Sequence, residues 1–125
     1  MKLPNAERAY VDIAKLRDYC LNPAHPRGRH KAYVFARTLG LTAADAQTLR
    51  RMLLSAVLEA DAVPGREDEF GKRYAVDFEV DSGGRIVVVR SAWIVLAGED
   101  FPRFTTCYVM EEGANQWATR SSYST

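Results

Sequence analysis

The spacing of apolar residues changes once along this chain, and that change restricts the folds that it can adopt. Up to about residue 60, apolar side chains recur at the three- and four-residue intervals of amphipathic helices, as in Ala32, Phe35, Ala36 and Leu39. From about residue 73 they alternate with polar ones, as in a β-strand with one buried face. This order predicts an α+β domain, with N-terminal helices packed on one face of a C-terminal antiparallel sheet of three to four strands.

Capping and turn residues set the boundaries of the predicted elements. The expected helices run from Asp12 to near Leu21, from about Arg29 to Gly40, and from Thr42 to about Ala60. Apolar residues cover most of the third helix, which predicts a central place in the core. Residues 61–72 are rich in charge, proline and glycine, which predicts one long loop. The expected strands are 73–80, 86–96 and 103–110, and residues 9–11 suit a short strand edge.

Length and composition predict a single domain. A chain of 125 residues with 47% hydrophobic side chains can bury one core. We expect that core within residues 3–110, followed by a polar tail over 111–125. No apolar run approaches the roughly 20 residues that span a bilayer, and residues 1–10 lack the apolar segment of a secretory signal. These features predict a soluble, cytoplasmic protein without a membrane partner.

Metal and cofactor chemistry is not indicated. Cys20 and Cys107 are far apart in sequence and form no CxxC pair, so buried free thiols are expected. His25 and His30, the only two histidines, lack the same-face spacing of a zinc helix. Neither a GxGxxG nor a Walker motif is present. We therefore expect no metal and no cofactor.

The most distinctive segment is 21–35, LNPAHPRGRHKAYVF, which concentrates positive charge. It holds both histidines together with Arg27, Arg29 and Lys31, and no acidic residue occurs between Asp18 and Asp45. Prolines and Gly28 stiffen the loop that carries His25 and Arg27. The segment is suited to holding a phosphate and moving protons, although isolated surface histidines and lysines are its simpler interpretation.

The alternation of the strands predicts which side chains share the open face of the sheet. If Arg90 faces solvent, Val87, Val89, Ser91 and Trp93 face the helices. The last strand then presents Thr106 and Tyr108 on the open face, unless a bulge changes the parity. Arg90 is alternatively the ion-pair partner of Asp77 or Glu79. The prediction is a guanidinium, a hydroxyl and a phenol close together beside the cationic segment.

These residue types match the requirements of RNA cleavage without a metal. The ribose 2′-hydroxyl must lose a proton as it attacks phosphorus, and the leaving 5′-oxygen must gain one. Histidine can serve at either end, because its ordinary pKa is about 6.5. Lysine and arginine can stabilise the phosphorane charge. We assign catalysis to His30, Lys31, Arg90 and Thr106. We assign substrate binding to His25, Arg27, Arg103 and Tyr108.

Three blocks of the sequence resemble a bacterial domain of unknown function that also occurs at the carboxyl ends of large polymorphic toxins. They are LPNAERAYVDIAKLRDYCLNPAHPRGRHKAYVF, GKRYAVDFEV and VRSAWIVLAGEDFPRFTTCYV. That domain is similar in layout to the barnase/EndoU/colicin/RelE group of ribonuclease toxins. The resemblance implies metal-independent RNA cleavage, with His30, Lys31, Arg90 and Thr106 at the matching positions, and a small protein inhibitor or antitoxin as partner. The family commonly has an arginine after the HKA block, where this chain has Tyr33.

The sequence thus predicts a metal-independent endoribonuclease toxin domain whose substrate is RNA. The alternative is a non-catalytic protein-binding module, such as an immunity or antitoxin-like partner that docks on an acidic protein. A nonspecific nucleic-acid binder is a weaker interpretation, because a net charge of +1 gives little general attraction to a phosphate backbone.

Overall fold

The architecture consists of N-terminal helices followed by a four-stranded antiparallel sheet, as predicted. The computed structural model describes residues 1–110. The helices are α1 (Ile13–Lys15, continued by the π-helical turn Leu16–Cys20), α2 (Arg29–Leu39) and α3 (Ala46–Glu59). Short 3₁₀ turns cover Ala6–Arg8 and Ala43–Asp45. The strands are β1 (Ala62–Asp68), β2 (Gly71–Ser82), β3 (Arg85–Leu96) and β4 (Pro102–Val109), arranged in the order β1-β2-β3-β4.

The helix boundaries follow the local signals in the sequence. The side chain of Asp12 accepts a hydrogen bond from Ala14 N and so caps α1. Gly40, with φ of 68°, closes α2 in the left-handed conformation that glycine adopts easily. A capping box between Thr42 and Asp45 starts the turn that leads into α3. These three boundaries agree with the predictions.

The predicted loop over residues 61–72 is wrong, because most of it forms β1 and the hairpin into β2. The ladder pairs Ala62 with Val76 and Asp68 with Gly71, and its register shifts between Pro64 and Glu67. Five consecutive β1 residues, 63–67, are exposed, so no alternating pattern marks the strand. An edge strand tolerates a proline and a bulge because one of its sides forms no ladder.

The core lies between the helices and the inner face of the sheet. Leu49, Leu53 and Val57 of α3 pack in the same buried cluster as Val76 and Trp93. The sheet parity agrees with the prediction, since Val87, Val89, Ser91 and Trp93 are all buried. Ser91 is the one buried polar residue among residues 1–110; its hydroxyl donates to Val76 O and accepts from Trp93 Nε1.

Two predictions about the helices need correction. The α3 helix is not enclosed by the core, because Leu58 is 54% exposed and Met52 and Leu54 are only half-buried. Ala36, expected on the buried stripe of α2, is exposed, whereas Val34 is buried. In both helices only one side meets the sheet and its neighbours, so a wide apolar surface does not become fully buried.

Two further features complete the fold. Tyr10, in the segment expected as a strand edge, forms an isolated parallel bridge with Arg103. Within residues 1–110 we find no helix with the length and apolar character needed to cross a membrane. The polar tail predicted over 111–125 lies outside the described residues.

Candidate functional site

The cationic segment and β4 meet at the edge of the sheet where α2 and the π-helical turn pack. In the β3–β4 ladder Arg90 pairs with Tyr108 and Ala92 pairs with Thr106. A register shift occurs between Ala92 and Trp93, beyond these two pairs. The shift therefore leaves Thr106 and Tyr108 on the same face as Arg90, as the alternation predicted.

Lys31 is the centre of this cluster. Its Nζ donates to Tyr19 Oη at 2.8 Å and to Thr106 Oγ1 at 3.1 Å. The ammonium also lies 4.6 Å from the centroid of the Tyr19 ring and 5.8 Å from that of Tyr108. All four contacts are with neutral groups, and within residues 1–110 Lys31 forms no ion pair with a carboxylate. The half-buried ammonium thus keeps its positive charge available to an anion.

Arg90 lies on the open face next to Tyr108 and is held by an acid. Its Nε and one terminal nitrogen donate to the two carboxylate oxygens of Asp77 at 2.8 and 2.9 Å. This ion pair is the largest cause that raises the pKa of Arg90, and a hydrogen bond with Tyr108 adds to it. Tyr108 therefore stands between Arg90 and Lys31 and connects the two cations. The Asp77 pairing agrees with the alternative weighed for Arg90 from the sequence.

His25 has a defined hydrogen-bonding role in the loop before α2. Its Nδ1 accepts from the main-chain nitrogens of Arg27 and Gly28 at 3.0 and 3.1 Å. The neutral ring must therefore carry its hydrogen on Nε2. The ring also packs edge-on against Tyr19, with 4.7 Å between centroids. His25 can consequently donate a hydrogen bond through Nε2, whereas protonation of Nδ1 would break two main-chain contacts.

The remaining predicted site residues are placed less centrally. His30 is exposed at the start of α2, one residue before Lys31. Arg27 is exposed in the loop before the helix. Arg103 binds Glu99 through two hydrogen bonds of 2.8 and 3.0 Å and lies over the rings of Tyr10 and Phe101. The structure thus gives Arg103 a separate environment toward the start of β4.

Sequence reasoning missed Tyr19, which joins the loop to the cluster. Its hydroxyl accepts from Lys31 and its ring contacts His25. The residue lies in the π-helical turn, where Leu21 N bonds to Leu16 O. Such turns often occur at functional sites. No local pattern in the sequence distinguishes this turn from an ordinary helical end, so nothing in the sequence indicated that Tyr19 belongs to the site.

The two cysteines form a buried pair behind Thr106. Both are free thiols, as expected, and Cys20 Sγ lies 3.7 Å from Thr106 Oγ1. The hydrogen bond with Cys107 lowers the pKa of Cys20, with smaller contributions from Thr106 and Lys31. Burial raises the pKa of Cys107. Thr106 is therefore held from one side by Lys31 and from the other by a thiol, which fixes the orientation of its hydroxyl.

The same cluster offers hydrogen-bond donors and positive charge but no metal-ligand set. Within residues 1–110 no group of three or more His, Cys, Asp or Glu side chains is arranged to hold a metal ion. The chemistry that the residues present can perform is anion binding and proton transfer.

One comparison with known proteins gives a match. Residues 2–111 match the family described as Domain of unknown function (DUF6883). Neither the curated proteins nor the solved structures contain a significant match to the chain.

Proposed function

Because the chain belongs to the DUF6883 family, whose description assigns no activity, we propose a function from the cluster itself: a metal-independent endoribonuclease. The observation that carries the proposal is the position of Lys31, a half-buried cation beside the hydroxyls of Tyr19 and Thr106 whose partners among residues 1–110 are all neutral. An RNA phosphate would supply the missing counter-charge. A toxin that is neutralised by a small protein inhibitor is the biological role that fits such an activity.

In the proposed reaction, His30 accepts the proton of the ribose 2′-hydroxyl as that oxygen attacks phosphorus. The bond from phosphorus to the 5′-oxygen breaks, and the product ends in a 2′,3′-cyclic phosphate. The Tyr19 hydroxyl donates its proton to the leaving 5′-oxygen and regains one from solvent, while the Lys31 ammonium, which donates a hydrogen bond to the Tyr19 oxygen, stabilises the tyrosinate formed in between. The proton on His30 passes to solvent, so each transferred proton is accounted for.

The other residues of the cluster bind and orient the phosphate. Lys31 and Arg90 place positive charge against the non-bridging oxygens, where charge increases in the transition state. Thr106 and Tyr108 donate hydrogen bonds from their hydroxyls. His25 donates through Nε2, consistent with the two main-chain bonds at its Nδ1. Arg27, exposed in the same loop, attracts the neighbouring phosphates.

The test is incubation of the purified protein with total RNA and with transfer RNA, from about pH 5 to pH 9, with and without a chelator. We expect cleavage that survives the chelator and leaves 2′,3′-cyclic phosphate ends. Arg90→Ala should abolish cleavage while circular dichroism stays unchanged. Arg66→Ala, which removes an exposed guanidinium of β1, is the matched control and should retain activity. Intact RNA under every condition would refute the proposal.

The pairing of Arg90 with Asp77 favours a second candidate, a non-catalytic protein-binding module. Since a carboxylate already neutralises this guanidinium, less charge is free for a phosphate. In this case the cationic segment docks on an acidic protein, as an immunity or antitoxin-like partner would. Expression in bacteria separates the candidates: a ribonuclease toxin arrests growth, and an Arg90→Ala variant relieves the arrest, whereas a binding module has no effect.

A further inference from the structure

Half of β2 has no neighbouring strand on one side within residues 1–110. The β3 ladder follows β2 from Gly71 to Ser82. The β1 ladder ends where Ala62 pairs with Val76, because the chain turns there into β1 from the end of α3. We call residues 77–82 the open edge. A strand edge of this kind presents main-chain groups that are available for pairing.

The register shows which main-chain groups of the open edge face outward. Met110 N donates to Val88 O at 2.8 Å, so the main-chain groups of Val88 are directed to the β4 side. Val88 is opposite Glu79 in the antiparallel β2–β3 ladder. In such a ladder both residues of a non-bonded pair direct their main-chain groups away from each other. The N–H and C=O of Glu79 therefore point outward, and alternation places those of Asp81 in the same direction.

A groove runs between the open edge and α3. Its volume is about 1040 Å³, and Met52 and Ala56 form one wall while Phe78 and Val80 form the other. Met52, Phe78 and Val80 are only half-buried, although they pack against the core. An extended strand added at the open edge would place every second side chain over these apolar groups.

The charge around the groove decides what kind of strand fits. Glu79 and Asp81 are exposed, as is Asp77, whose carboxylate already binds Arg90. Glu59 lies on the opposite wall, and Arg51 is the one cation among residues 1–110 that lines the groove. A second copy paired through the same edge would set these acidic side chains against one another, which is unfavourable. A segment with lysine or arginine at alternate positions would instead meet opposite charge.

We propose that the open edge binds an extended segment of a partner protein by β-strand addition, and that this segment alternates apolar and basic residues. The main-chain groups of Glu79 and Asp81 form hydrogen bonds with the segment. The groove binds its apolar side chains, and the carboxylates of Glu79 and Asp81 bind its basic ones. This surface adjoins the proposed ribonuclease site, because Asp77 at the start of the open edge holds Arg90, but Glu79 and Asp81 take no part in the proposed reaction.

The experiment uses the full chain, uniformly labelled with ¹⁵N, and an acetylated peptide of alternating lysine and valine. Amide hydrogen exchange is measured by NMR with and without the peptide. We expect the amides of Glu79 and Asp81 to exchange at least tenfold more slowly when the peptide is bound. A peptide of equal charge with proline at alternate positions should give no protection, because it cannot form the ladder. A glutamate-valine peptide should also fail.

Two double variants test the surface with matched changes of charge. Glu79→Lys with Asp81→Lys should weaken binding of the lysine-valine peptide at least tenfold. Glu67→Lys with Glu69→Lys makes the same change on exposed residues near the β1–β2 hairpin and should leave binding unchanged. If the first double variant is less soluble, Glu79→Pro replaces it and should also weaken binding. The N–H of Glu79 points outward and makes no ladder bond to β3, so the proline removes only the bond to the peptide.

Three results would overturn the proposal. The first is absence of binding at a peptide concentration of about 1 mM. The second is binding that the Glu79 and Asp81 changes leave unaltered. The third is slow exchange of the Glu79 and Asp81 amides before any peptide is added. In that case sedimentation assigns the occupant: a dimer indicates a second copy, and a monomer indicates another segment of this chain.

Discussion

At the scale of single residues, Lys31 has an environment that a purely structural lysine would not favour. Its ammonium is half-buried against two tyrosine rings and two neutral oxygens. Burying a charge without an opposite charge costs free energy, which hydrogen bonds only partly offset. Functional sites commonly retain such unfavourable arrangements. The lysine is therefore expected to affect activity more than stability.

Replacement of Lys31 by methionine tests this expectation. The side chain keeps most of its length but loses its charge, so RNA cleavage should fall about 100-fold. The free energy of unfolding should change by no more than about 1 kcal/mol, since the lost hydrogen bonds are offset by a smaller desolvation cost. Both are measured on one preparation, by an RNA cleavage assay and by urea unfolding. Lys15→Met, an exposed lysine of α1, is the control. Full activity of Lys31→Met would contradict the assignment.

Ser91 provides a second prediction at this scale, one about stability. Its hydroxyl links Val76 O to Trp93 Nε1 inside the core. Ser91→Ala leaves the indole N–H buried without an acceptor, which should lower the free energy of unfolding by about 1–3 kcal/mol. Urea unfolding followed by fluorescence measures the change. Ser55→Ala, at an exposed position of α3, should alter stability little, and equal effects of the two changes would show that the buried bond contributes nothing.

At the scale of elements, the candidate site depends on close contact between the π-helical turn and the start of α2. Gly28 precedes α2, and a Cβ atom there would collide with the carbonyl oxygen of Tyr19. The contact holds Tyr19 against both His25 and Lys31. Position 28 therefore requires glycine because the two elements approach so closely there. The backbone conformation is not the reason, since a φ of −94° is open to any residue.

Gly28→Ala should separate these two elements. We expect a loss of about 1–3 kcal/mol in the free energy of unfolding, because the collision is with main chain and cannot be relieved by a side-chain rotation. RNA cleavage should fall as well, since Tyr19 and Lys31 move apart. Gly65→Ala is the matched control, because a Cβ there meets only ordinary contacts of 3.5 Å or more. Unfolding midpoints by denaturant compare the two variants, and a stable, active Gly28→Ala protein would refute the contact.

The elements also show where sequence patterns fail. The helix boundaries agree with the predictions because they depend on local groups, such as Asp12 at the start of α1 and Gly40 at the end of α2. The β1 strand was missed because five of its residues, 63–67, are exposed in succession and a register shift interrupts the ladder. An edge strand that is held by hydrogen bonds to its neighbour and buries no face of its own shows no alternation of apolar and polar residues in the sequence.

At the scale of the whole molecule, exposed ion pairs connect distant parts of the chain. Arg8 binds Asp100, which ties the N-terminal turn to the β3–β4 connection. Hydrogen bonds from arginine side chains lower the pKa values of four carboxyl groups, two exposed and two half-buried: Asp18 by Arg17, Asp68 by Arg73, Glu99 by Arg103, and Asp100 by Arg8. In the unfolded chain these groups return to ordinary values near 3.8 for aspartate and 4.5 for glutamate.

These shifts predict a loss of stability in acid. Each group has a lower pKa in the folded chain, so the unfolded chain binds more protons as the pH falls. The stabilisation is complete above about pH 5 and decreases as the pH falls through the folded pKa values. Urea midpoints between about pH 6 and pH 3 measure the effect. Glu99→Gln should reduce the dependence of the urea midpoint on pH, and about 1 M salt should weaken that dependence because solvent reaches all four pairs. A midpoint independent of pH would contradict this account.

The sequence by itself determined the order of helices and strands, the helix caps and the faces of the sheet. Each of these depends on hydrogen bonds or side-chain alternation within a few residues. The tertiary structure alone decided that Tyr19 joins Lys31, that Cys20 and Cys107 lie together behind Thr106, and that Arg90 is held by Asp77. Within the described part of the chain, it also left the open edge without a neighbouring strand. These contacts join residues that lie 12 or more positions apart, and they arise from the pairing of β2 with β3 and from the packing of the π-helical turn against α2 and β4.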